Sequence, residues 1–487
     1  MVVPGWCSMG LASIVSRLSP PASILYNMPI RTAAAVTAGK GAALASRLLG
    51  RGGGTALPGL VAERFDPNIV AHLGQQLGRG RVLVTGTNGK TTTSRIVARA
   101  LEEGGLSYLH NREGSNLMRG IASALLTASW PTGTIPGGGE TLGLFETDEA
   151  TLPAAARALQ PTAIAFTNLF RDQLDRYGEV DTVAGFWRAA LEASPKDATL
   201  VLNADDPSVA DLATGWPGPV HWFGVDDPAF ATEAAGATDA RWCGVCGGSF
   251  EYSRRYFAHI GHWRCLGCER KRAEPQTSGS NIRLGLDAAA FDVTGLGTVT
   301  MPLTGVYNVY NALAAVAISR VLNVPEAPTV AALANVRPAF GRQEVVVLEG
   351  RKLRIMLCKN PAGANQVIRL LRAIDPGEGL HVAALLNDRF ADGQDVSWTW
   401  DVDYELLSDR IANCYAGGDR AEDMALRLKY AGWKAPNSVA HEPAALLDAI
   451  VRGTPVGADV FVIPTYTAMQ DLRAELAKRG VAGQFWE

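Results

Sequence analysis

One short segment constrains the fold of this 487-residue chain more than any other. The apolar run RVLVT at residues 81–85 leads into GTNGKT, and the helical pattern TTSRIVARALEEGG follows at once. A strand, a glycine-rich turn and a helix in this order form a phosphate-binding loop close to the Walker A pattern, because backbone N–H groups turn inward around the phosphates. Lys90 would meet the β- and γ-phosphates, and the Thr91 hydroxyl would bind Mg²⁺. The predicted nucleotide-binding residues of this loop are Gly86, Thr87, Asn88, Gly89, Lys90, Thr91 and Thr92.

A second apolar run, LGLFETDE, places Glu146 at the carboxyl end of another predicted strand. Because the carboxyl ends of parallel strands share one edge of a sheet, Glu146 should lie beside the phosphate-binding loop. Hydroxyl and carboxylate oxygens suit Mg²⁺, so we predict that Thr91 and Glu146 bind it. The alternative is an acid that caps the following helix, a role that suits Asp148 or Glu149 better.

Apolar runs separated by helical patterns predict an α/β fold with parallel sheets. PTAIAFTNL and ATLVLNADD read as buried strands with polar ends, and the alternation restarts near residue 345. The length suits more than one domain. The predicted boundaries are 1–58 for an N-terminal leader and helix, 59–337 for a nucleotide-binding domain with an insert at 241–275, and 338–487 for a second α/β domain.

Four of the seven cysteines form two CxxC pairs, Cys243 with Cys246 and Cys265 with Cys268, eighteen residues apart. This spacing is typical of a zinc ribbon in a reducing compartment, and four thiolates leave tetrahedral Zn²⁺ no open position. We therefore predict a structural zinc site in the insert. An iron–sulfur cluster and a redox dithiol pair are the alternatives. The two histidines between the pairs, at 259 and 262, fit ordinary polar residues of a ribbon better than ligands.

The net charge and the N-terminal segment bear on whether the protein binds nucleic acid or a membrane. A net charge of −3 gives no general basic surface, so nucleic acid is not an expected partner. Residues 1–27 read as a leader or an upstream-start artefact, and no signal peptide is evident. The alanine-rich helix after Met28 is too short and too charged to span a bilayer. It is either an ordinary surface helix or an amphipathic helix that lies on a membrane.

Several motifs, in order along the chain, resemble the central ATPase domain of the Mur ligase family. They are GTNGKTT (86–92), TNLFRDQLDRYGE (167–179), LNADDP (202–207), YNVYNALAA (307–315) and FGRQE (340–344). The cysteine insert, CKNPAGANQ (358–366) and LLNDRFADGQDVSWTWD (385–401) are similar to one branch of this family, the MurT branch. The resemblance covers roughly residues 28–487.

The resemblance implies an ATP-dependent carbon–nitrogen ligase that is one subunit of a glutamine-dependent amidotransferase. The implied reaction converts the α-carboxyl of D-glutamate in the lipid II stem peptide to D-isoglutamine, through an acyl phosphate. The implied cofactors are ATP, Mg²⁺ and a structural Zn²⁺. Ammonia would come from a glutaminase partner, GatD. The implied location is the cytoplasm, with contact at the inner face of the membrane where the lipid-linked substrate lies.

The same resemblance implies roles for single residues. Lys90 would be catalytic, Asn308 and Asn311 would contact the nucleotide, with Asn311 on the adenine, and Arg342 would reach the nucleotide from the segment between the domains. Helix-start capping is the alternative for Asn308. Asp395 would cross the subunit interface and orient the partner's histidine in a Cys–His–Asp arrangement. An Asx turn that only shapes the loop is its alternative, and its rivals for the role are Asp388, Asp392 and Asp401.

Two other functions remain at this point. A stand-alone Mur or folylpolyglutamate type of amide ligase would act without a partner. A nucleotide-gated zinc-ribbon scaffold would bind ATP without turning over an acceptor. Neither Cys358 nor Cys414 lies in a GxCxG-type nucleophile elbow, so glutamine hydrolysis by this chain alone is not predicted.

Overall fold

The computed structural model describes residues 30–48, 57–111, 115–171, 180–231, 239–337, 342–374, 377 and 379–481. The predicted leader at 1–27 and residues 172–179 of the second family motif lie outside the described residues. The strands are β1 (Arg81–Thr85), β2 (Tyr108–His110), β3 (Leu142–Glu146), β4 (Ala163–Phe166), β5 (Thr199–Asn203), β6 (Val220–Val225), β7 (Phe250–Phe257), β8 (Ile260–Cys265), β9 (Thr277–Leu284), β10 (Ala289–Val293), β11 (Gly297–Met301), β12 (Arg342–Leu348), β13 (Arg351–Met356), β14 (Leu380–Leu385), β15 (Ile411–Gly417), β16 (Ser438–Ala440) and β17 (Asp459–Pro464). The helices are α1 (Ile30–Leu48), α2 (Leu57–Phe65), α3 (Ile69–Gly74), α4 (Lys90–Glu103), α5 (Met118–Ala128), α6 (Leu152–Leu159), α7 (Val180–Ala193), α8 (Pro207–Ala210), α9 (Val306–Val321), α10 (Glu326–Asn335), α11 (Pro361–Ala373), α12 (Ala421–Tyr430), α13 (Pro443–Gly453) and α14 (Tyr466–Lys478).

A nine-stranded sheet organises the first domain, with strand order β11-β10-β9-β6-β5-β4-β1-β3-β2. The strands from β2 to β9 in this order pair in parallel, and β9, β10 and β11 form an antiparallel edge. Strand β1 lies between β3 and β4, so the loop after β1 lies at the carboxyl edge of the sheet, between the ends of these two strands. This arrangement confirms the predicted α/β fold with parallel strands.

Both faces of the sheet are buried at β1, β3, β4 and β5, which explains the nearly continuous apolar runs of these strands. Successive side chains of β1 point to opposite faces, so Val82 and Val84 enter one apolar core and Leu83 enters the other. Helix α9 packs on the first face with α4 and α10 beside it, and α5, α6 and α7 cover the second.

The N-terminal helix α1 belongs to the same core. Ala35 and Val36 of α1 and Ala62 of α2 are fully buried against α5. The Thr32 hydroxyl also donates a buried hydrogen bond of 2.8 Å to Asp66. The predicted boundary at residue 58 falls inside α2, which spans Leu57–Phe65. Helices α1 and α2 pack together on the sheet domain, so α1 is part of that domain. Within the described residues, no helix is long and apolar enough to cross a membrane.

Two further sheets follow along the chain. Strands β7 and β8 pair antiparallel within the predicted insert and carry the cysteine ribbon. A six-stranded sheet of order β12-β13-β17-β14-β15-β16 forms the C-terminal domain, parallel except for the β12–β13 hairpin. Helices α11 and α12 pack on one face of it, and α13 and α14 pack on the other.

Trp187 in α7 provides a test of the second core. Its side chain is fully buried, and its ring lies edge-on to Phe166 with 5.0 Å between the centroids. We expect Trp187→Ala to lower the free energy of unfolding of this domain by about 3–5 kcal/mol, because a large cavity remains. Urea unfolding followed by circular dichroism measures this loss. Trp130 is 60% exposed, so Trp130→Ala is the matched control and should change stability by less than about 0.5 kcal/mol. Equal effects of the two variants would contradict the assigned packing.

Candidate active site

The phosphate-binding loop depends on two glycines with positive φ. Gly86 has a φ of +132° and Gly89 a φ of +89°, and α4 begins directly after Gly89. A Cβ atom at position 89 would lie 2.0 Å from the Oδ1 atom of Asn311 in α9. Glycine is therefore required there both for the backbone conformation and for the close approach of α9. The loop faces the N-terminal end of α4, where N–H groups favour an anion.

Lys90 is buried at the start of α4 and pairs with a carboxylate that the sequence did not single out for this role. Its Nζ atom donates to the Gly86 carbonyl at 2.5 Å and to Glu149 Oε1 at 2.8 Å. Burial lowers the pKa of Lys90, but the charges of Glu149, Asp148 and Glu146 outweigh this effect and raise the pKa above its usual value. The side chain therefore stays cationic. A phosphate that approaches Lys90 competes with Glu149 for the same ammonium group.

The two predicted magnesium ligands lie together. The Thr91 hydroxyl donates to Glu146 Oε1 at 3.1 Å, and both side chains are buried. Asn111 fixes the end of β3, because its side chain accepts from the Glu146 N–H and donates to the Glu146 carbonyl. A hydroxyl and a carboxylate at this separation offer the hard oxygen donors that Mg²⁺ prefers. These residues fit the metal that the phosphate-binding loop implies.

The two predicted nucleotide-contacting asparagines are buried on one face of α9. Asn311 Nδ2 donates to Asn308 Oδ1 at 3.0 Å, and Asn308 Nδ2 donates to the Thr304 carbonyl at 2.9 Å. A capping side chain would accept from the helix N–H groups, so this donor contact differs from the capping alternative for Asn308. Arg342 begins β12, and its side chain lies outside the described residues.

The four cysteines of the insert form one cluster. The Sγ atoms of Cys243, Cys246, Cys265 and Cys268 all lie within 4.8 Å of one another, and none of these residues forms a disulfide. Burial raises the pKa of the Cys243 thiol, but backbone N–H groups and the Arg270 guanidinium outweigh it and lower the pKa to about 6. Four thiols at this separation fit a tetrahedral metal site.

The two histidines of the insert are not part of this cluster. His259 is fully buried, with its Nε2 atom 3.4 Å from Asp206. The ring of His262 contacts the Val225 carbonyl at 2.9 Å and Asp226 at 3.1 Å. Both side chains therefore connect the ribbon to the sheet domain.

A buried carboxylate, Asp205, joins the ribbon to helix α9. Arg272, just after the ribbon cysteines, donates to Asp205 Oδ1, and the Tyr310 hydroxyl donates to Asp205 Oδ2, each at 2.5 Å. The backbone carbonyl of Asp205 also accepts from the Gly261 N–H in the ribbon. Tyr310 immediately precedes Asn311 in α9. The ribbon thus contacts α9, the helix that packs against the phosphate-binding loop.

Two family models match the chain, one in each α/β domain. The model described as "Mur ligase middle domain" matches residues 84–243, and the model described as "MurT ligase C-terminal" matches residues 357–469. Two relatives carry the name "Lipid II isoglutaminyl synthase (glutamine-hydrolyzing) subunit MurT". The protein from Staphylococcus aureus (strain COL) is 32% identical over 446 residues, which cover 90% of this chain and 96% of the relative. The protein from Streptococcus pneumoniae (strain ATCC BAA-255 / R6) is 34% identical over 461 residues, which cover 93% and 99%.

The chain belongs to the MurT family. The resemblance predicted from its motifs is thereby confirmed, and so is its class as an ATP-dependent ligase of the Mur type. The printed names of these two relatives describe a subunit of a synthase.

Solved structures support the same fold. A pseudomurein peptide ligase type C from Methanothermus fervidus aligns with a TM-score of 0.63 at 18% identity, over 83% of this chain and 79% of the ligase. The MurF ligase from Thermotoga maritima in complex with ADP aligns with a TM-score of 0.57 at 14% identity, over 85% and 84%. At these identities the likeness shows the fold alone.

The segment 385–401 contains four aspartates, and the burial and hydrogen-bond partners of these aspartates differ. Asp392 is buried and accepts hydrogen bonds from the backbone N–H and the hydroxyl of Thr467. Asp388 pairs with Arg420 at 2.8 Å, and Asp401 pairs with Arg171 at 3.3 Å. The carboxylates of Asp388, Asp392 and Asp401 thus each contact a residue that is distant in the sequence.

Asp395 has a different setting from its three rivals. Its side chain is exposed and accepts from the Ser397 N–H at 2.8 Å. Hydrogen bonds from Ser397 lower the pKa of Asp395, so it is ionised near neutral pH. This contact is the Asx-type turn of the alternative interpretation, and the residue is exposed.

The segment that follows Asp395 is anchored by contacts with α12. The guanidinium of Arg427 is buried and donates to the carbonyls of Thr399 and Val402 at 3.1 and 2.6 Å. It also lies over the Trp400 ring, 5.3 Å from the centroid. Trp400 meets the Tyr430 ring edge-on at 5.6 Å. These contacts of α12 with the loop are a feature that the sequence did not reveal.

Gly89 gives the most direct test of the nucleotide site. We expect Gly89→Ala to weaken ATP binding by at least about tenfold, because the new Cβ displaces Asn311 and strains the loop. Gly105 also has positive φ, at +64°, but nothing lies within 4 Å of the position of its Cβ. Gly105→Ala is thus a matched control for backbone strain and should keep the affinity of the parent protein. Titration calorimetry with Mg²⁺–ATP measures both, and similar losses in the two variants would contradict the assigned contact.

The cysteine cluster makes a separate prediction about metal content. We expect one zinc ion per chain by elemental analysis, and its loss from Cys246→Ala, because three thiolates hold structural zinc poorly. Cys414 is buried in the C-terminal domain outside the cluster, so Cys414→Ala should retain the metal. Iron in the purified protein, or unchanged zinc in Cys246→Ala, would refute the assignment.

Proposed function

We propose that this chain is the ligase subunit that amidates the D-glutamate α-carboxyl of the lipid II stem peptide to D-isoglutamine, with ammonia from a GatD-like glutaminase. The main support is its similarity to MurT subunits of lipid II isoglutaminyl synthase over 90% or more of the chain. The match of a MurT-specific model to residues 357–469 adds the C-terminal domain to this support.

The arrangement around the phosphate-binding loop suits the activation of a carboxylate. A carboxylate is a poor electrophile, and ATP supplies a phosphoryl group that converts it to an acyl phosphate with a good leaving group. Lys90 balances the negative charge that develops on the phosphates. Thr91 and Glu146 would hold Mg²⁺ beside it, and Asn311 and Asn308 would hold the adenine end.

Within the described part of the chain, the two cysteines outside the ribbon support the proposal of a glutaminase partner. Cys358 and Cys414 are buried, and burial raises the pKa of each thiol to about 12. A thiol with so high a pKa carries almost no thiolate at neutral pH, so neither residue is a nucleophile for glutamine. We therefore assign glutamine hydrolysis to a separate subunit.

The role proposed for Asp395 is to orient the partner's catalytic histidine from across the interface. Its exposure and its ionised state suit this role, and the contacts of Asp388, Asp392 and Asp401 make them poorer candidates. The proposal also places the complex in the cytoplasm at the inner membrane face, because the acceptor is lipid-linked and the phosphoryl donor is ATP.

The test is a comparison of two nitrogen sources in the complex co-expressed with its glutaminase. We expect Asp395→Asn to lower glutamine-driven amidation of lipid II by at least about 100-fold, since the histidine loses its orienting carboxylate. Amidation driven by ammonium should stay at the parent level. Mass spectrometry of the stem peptide gives both rates.

Asp409 supplies the matched control, because it is an exposed acid of the same domain that pairs with Arg372. Asp409→Asn should leave both rates unchanged. An equal loss of both rates in Asp395→Asn, or no loss in either, would exclude the proposed role. A glutamine-driven rate without any partner would favour the stand-alone ligase.

A further inference from the structure

The phosphate-binding loop is tied closely to the segment that follows β4. The Phe170 N–H donates to the Thr87 hydroxyl at 2.9 Å, and this hydroxyl donates back to the Phe170 carbonyl at 3.2 Å. The Asn168 side chain accepts from the Asn88 N–H and donates to the Asn88 carbonyl. A shift of residues 87–88 on nucleotide binding would therefore move residues 168–170 as well.

Arg171, the next residue, extends this connection into the C-terminal domain. Its backbone N–H and Nε atom hold Asp239 at 3.0 and 2.6 Å, and its Nη2 atom reaches Asp401 at 3.3 Å. Asp401 ends the short 3₁₀ helix Ser397–Asp401, which begins two residues after Asp395. One guanidinium thus joins the nucleotide-binding domain to the segment proposed to meet the glutaminase.

A second connection runs through α11. Asn360 precedes this helix, and its Nδ2 atom donates to Asn88 Oδ1 at 3.1 Å. Five residues later, Asn365 donates to the Asp401 carbonyl at 3.1 Å and accepts from the Asp403 N–H at 2.7 Å. Both asparagines are buried, so their hydrogen bonds fix the position of α11 relative to the phosphate-binding loop and to Asp401. Two separate paths therefore link Asn88 to Asp401.

We propose that Arg171 and Asn365 are positioning residues that couple nucleotide binding at the phosphate-binding loop to the placement of the Asp395 loop. Glutamine hydrolysis by the partner would then rise when ATP is bound, and ammonia would be released only when the ligase is ready to use it. This inference rests on the proposed function, and it adds a regulatory link between the two active sites.

The exposure of the Arg171–Asp401 pair favours a role in coupling over one in folding. The side chains of Arg171 and Asp401 are 33% and 46% exposed. Solvent screens such pairs, so they contribute little to stability. Asp401→Asn removes only this pair and should fold normally, whereas Arg171→Ala also removes the ion pair with Asp239. Asp401→Asn therefore separates an effect on coupling from a loss of structure.

The experiment measures glutamine hydrolysis by the co-expressed complex with and without Mg²⁺–ATP and lipid II. We expect the parent complex to show a stimulation of at least about fivefold, the lower end of typical coupling between sites. Arg171→Ala and Asp401→Asn should each reduce the stimulation to less than about twofold. The double variant should lose no more than Arg171→Ala alone, because that change already removes the Arg171–Asp401 contact. Ammonium-driven amidation should stay within about twofold of the parent rate in all three.

Arg372 in α11 forms an exposed pair with Asp409 that touches neither path, so Arg372→Ala is the matched control and should keep the full stimulation. Full stimulation in Arg171→Ala, or no stimulation in a parent complex that amidates lipid II, would overturn this inference and leave the proposed function intact. A parent complex that fails to amidate lipid II with either nitrogen source would remove both.

Discussion

The burial of β1 between β3 and β4 is the constraint on which the rest of the site depends. Because all three strands are parallel and covered on both faces, their carboxyl ends present Gly86–Lys90, Glu146 and Asn168 at one edge. The close approach of Asn311 to Gly89 then closes this edge from the other side. The nucleotide site is thus built from four elements whose positions the central sheet fixes.

The other parts of the chain are connected to this edge by polar contacts. The ribbon reaches α9 through Asp205 and Tyr310, and the C-terminal domain reaches the phosphate-binding loop through Asn360. Such buried contacts cost free energy unless every partner is present, so they specify one arrangement of the modules. This offers a physical reason for a ribbon inside a ligase domain, because the ribbon supports helix α9, which packs against the phosphate-binding loop.

Local sequence patterns were sufficient to predict the α/β fold, the strand–turn–helix of the phosphate-binding loop and the family. The spacing of the cysteines also predicted their cluster, because a single β-hairpin is enough to bring two CxxC pairs together. The pairing of Thr91 with Glu146 followed from the rule that parallel strands end at the same edge, and the structure places these two side chains in contact.

Contacts between distant residues could not be read from a single sequence. Glu149 looked like an acid near a helix start, but it lies against Lys90, 59 residues away. Arg171 and Asp401 are 230 residues apart, and Asp205 and Tyr310 are 105 apart. No periodicity or spacing marks such pairs, because they depend on how whole sheets and helices pack. The α12 contacts of Arg427 that hold the Asp395 loop were missed for the same reason.

We propose that this chain itself joins nitrogen to a carboxylate of lipid II. The most direct measurement incubates the purified complex with lipid II, Mg²⁺–ATP and ammonium, and follows the stem peptide by mass spectrometry together with phosphate release. We expect an amide to replace one carboxyl group of the stem peptide, with one phosphate released for each amide formed. ATP binding without any change in lipid II would contradict it and would favour a nucleotide-gated scaffold.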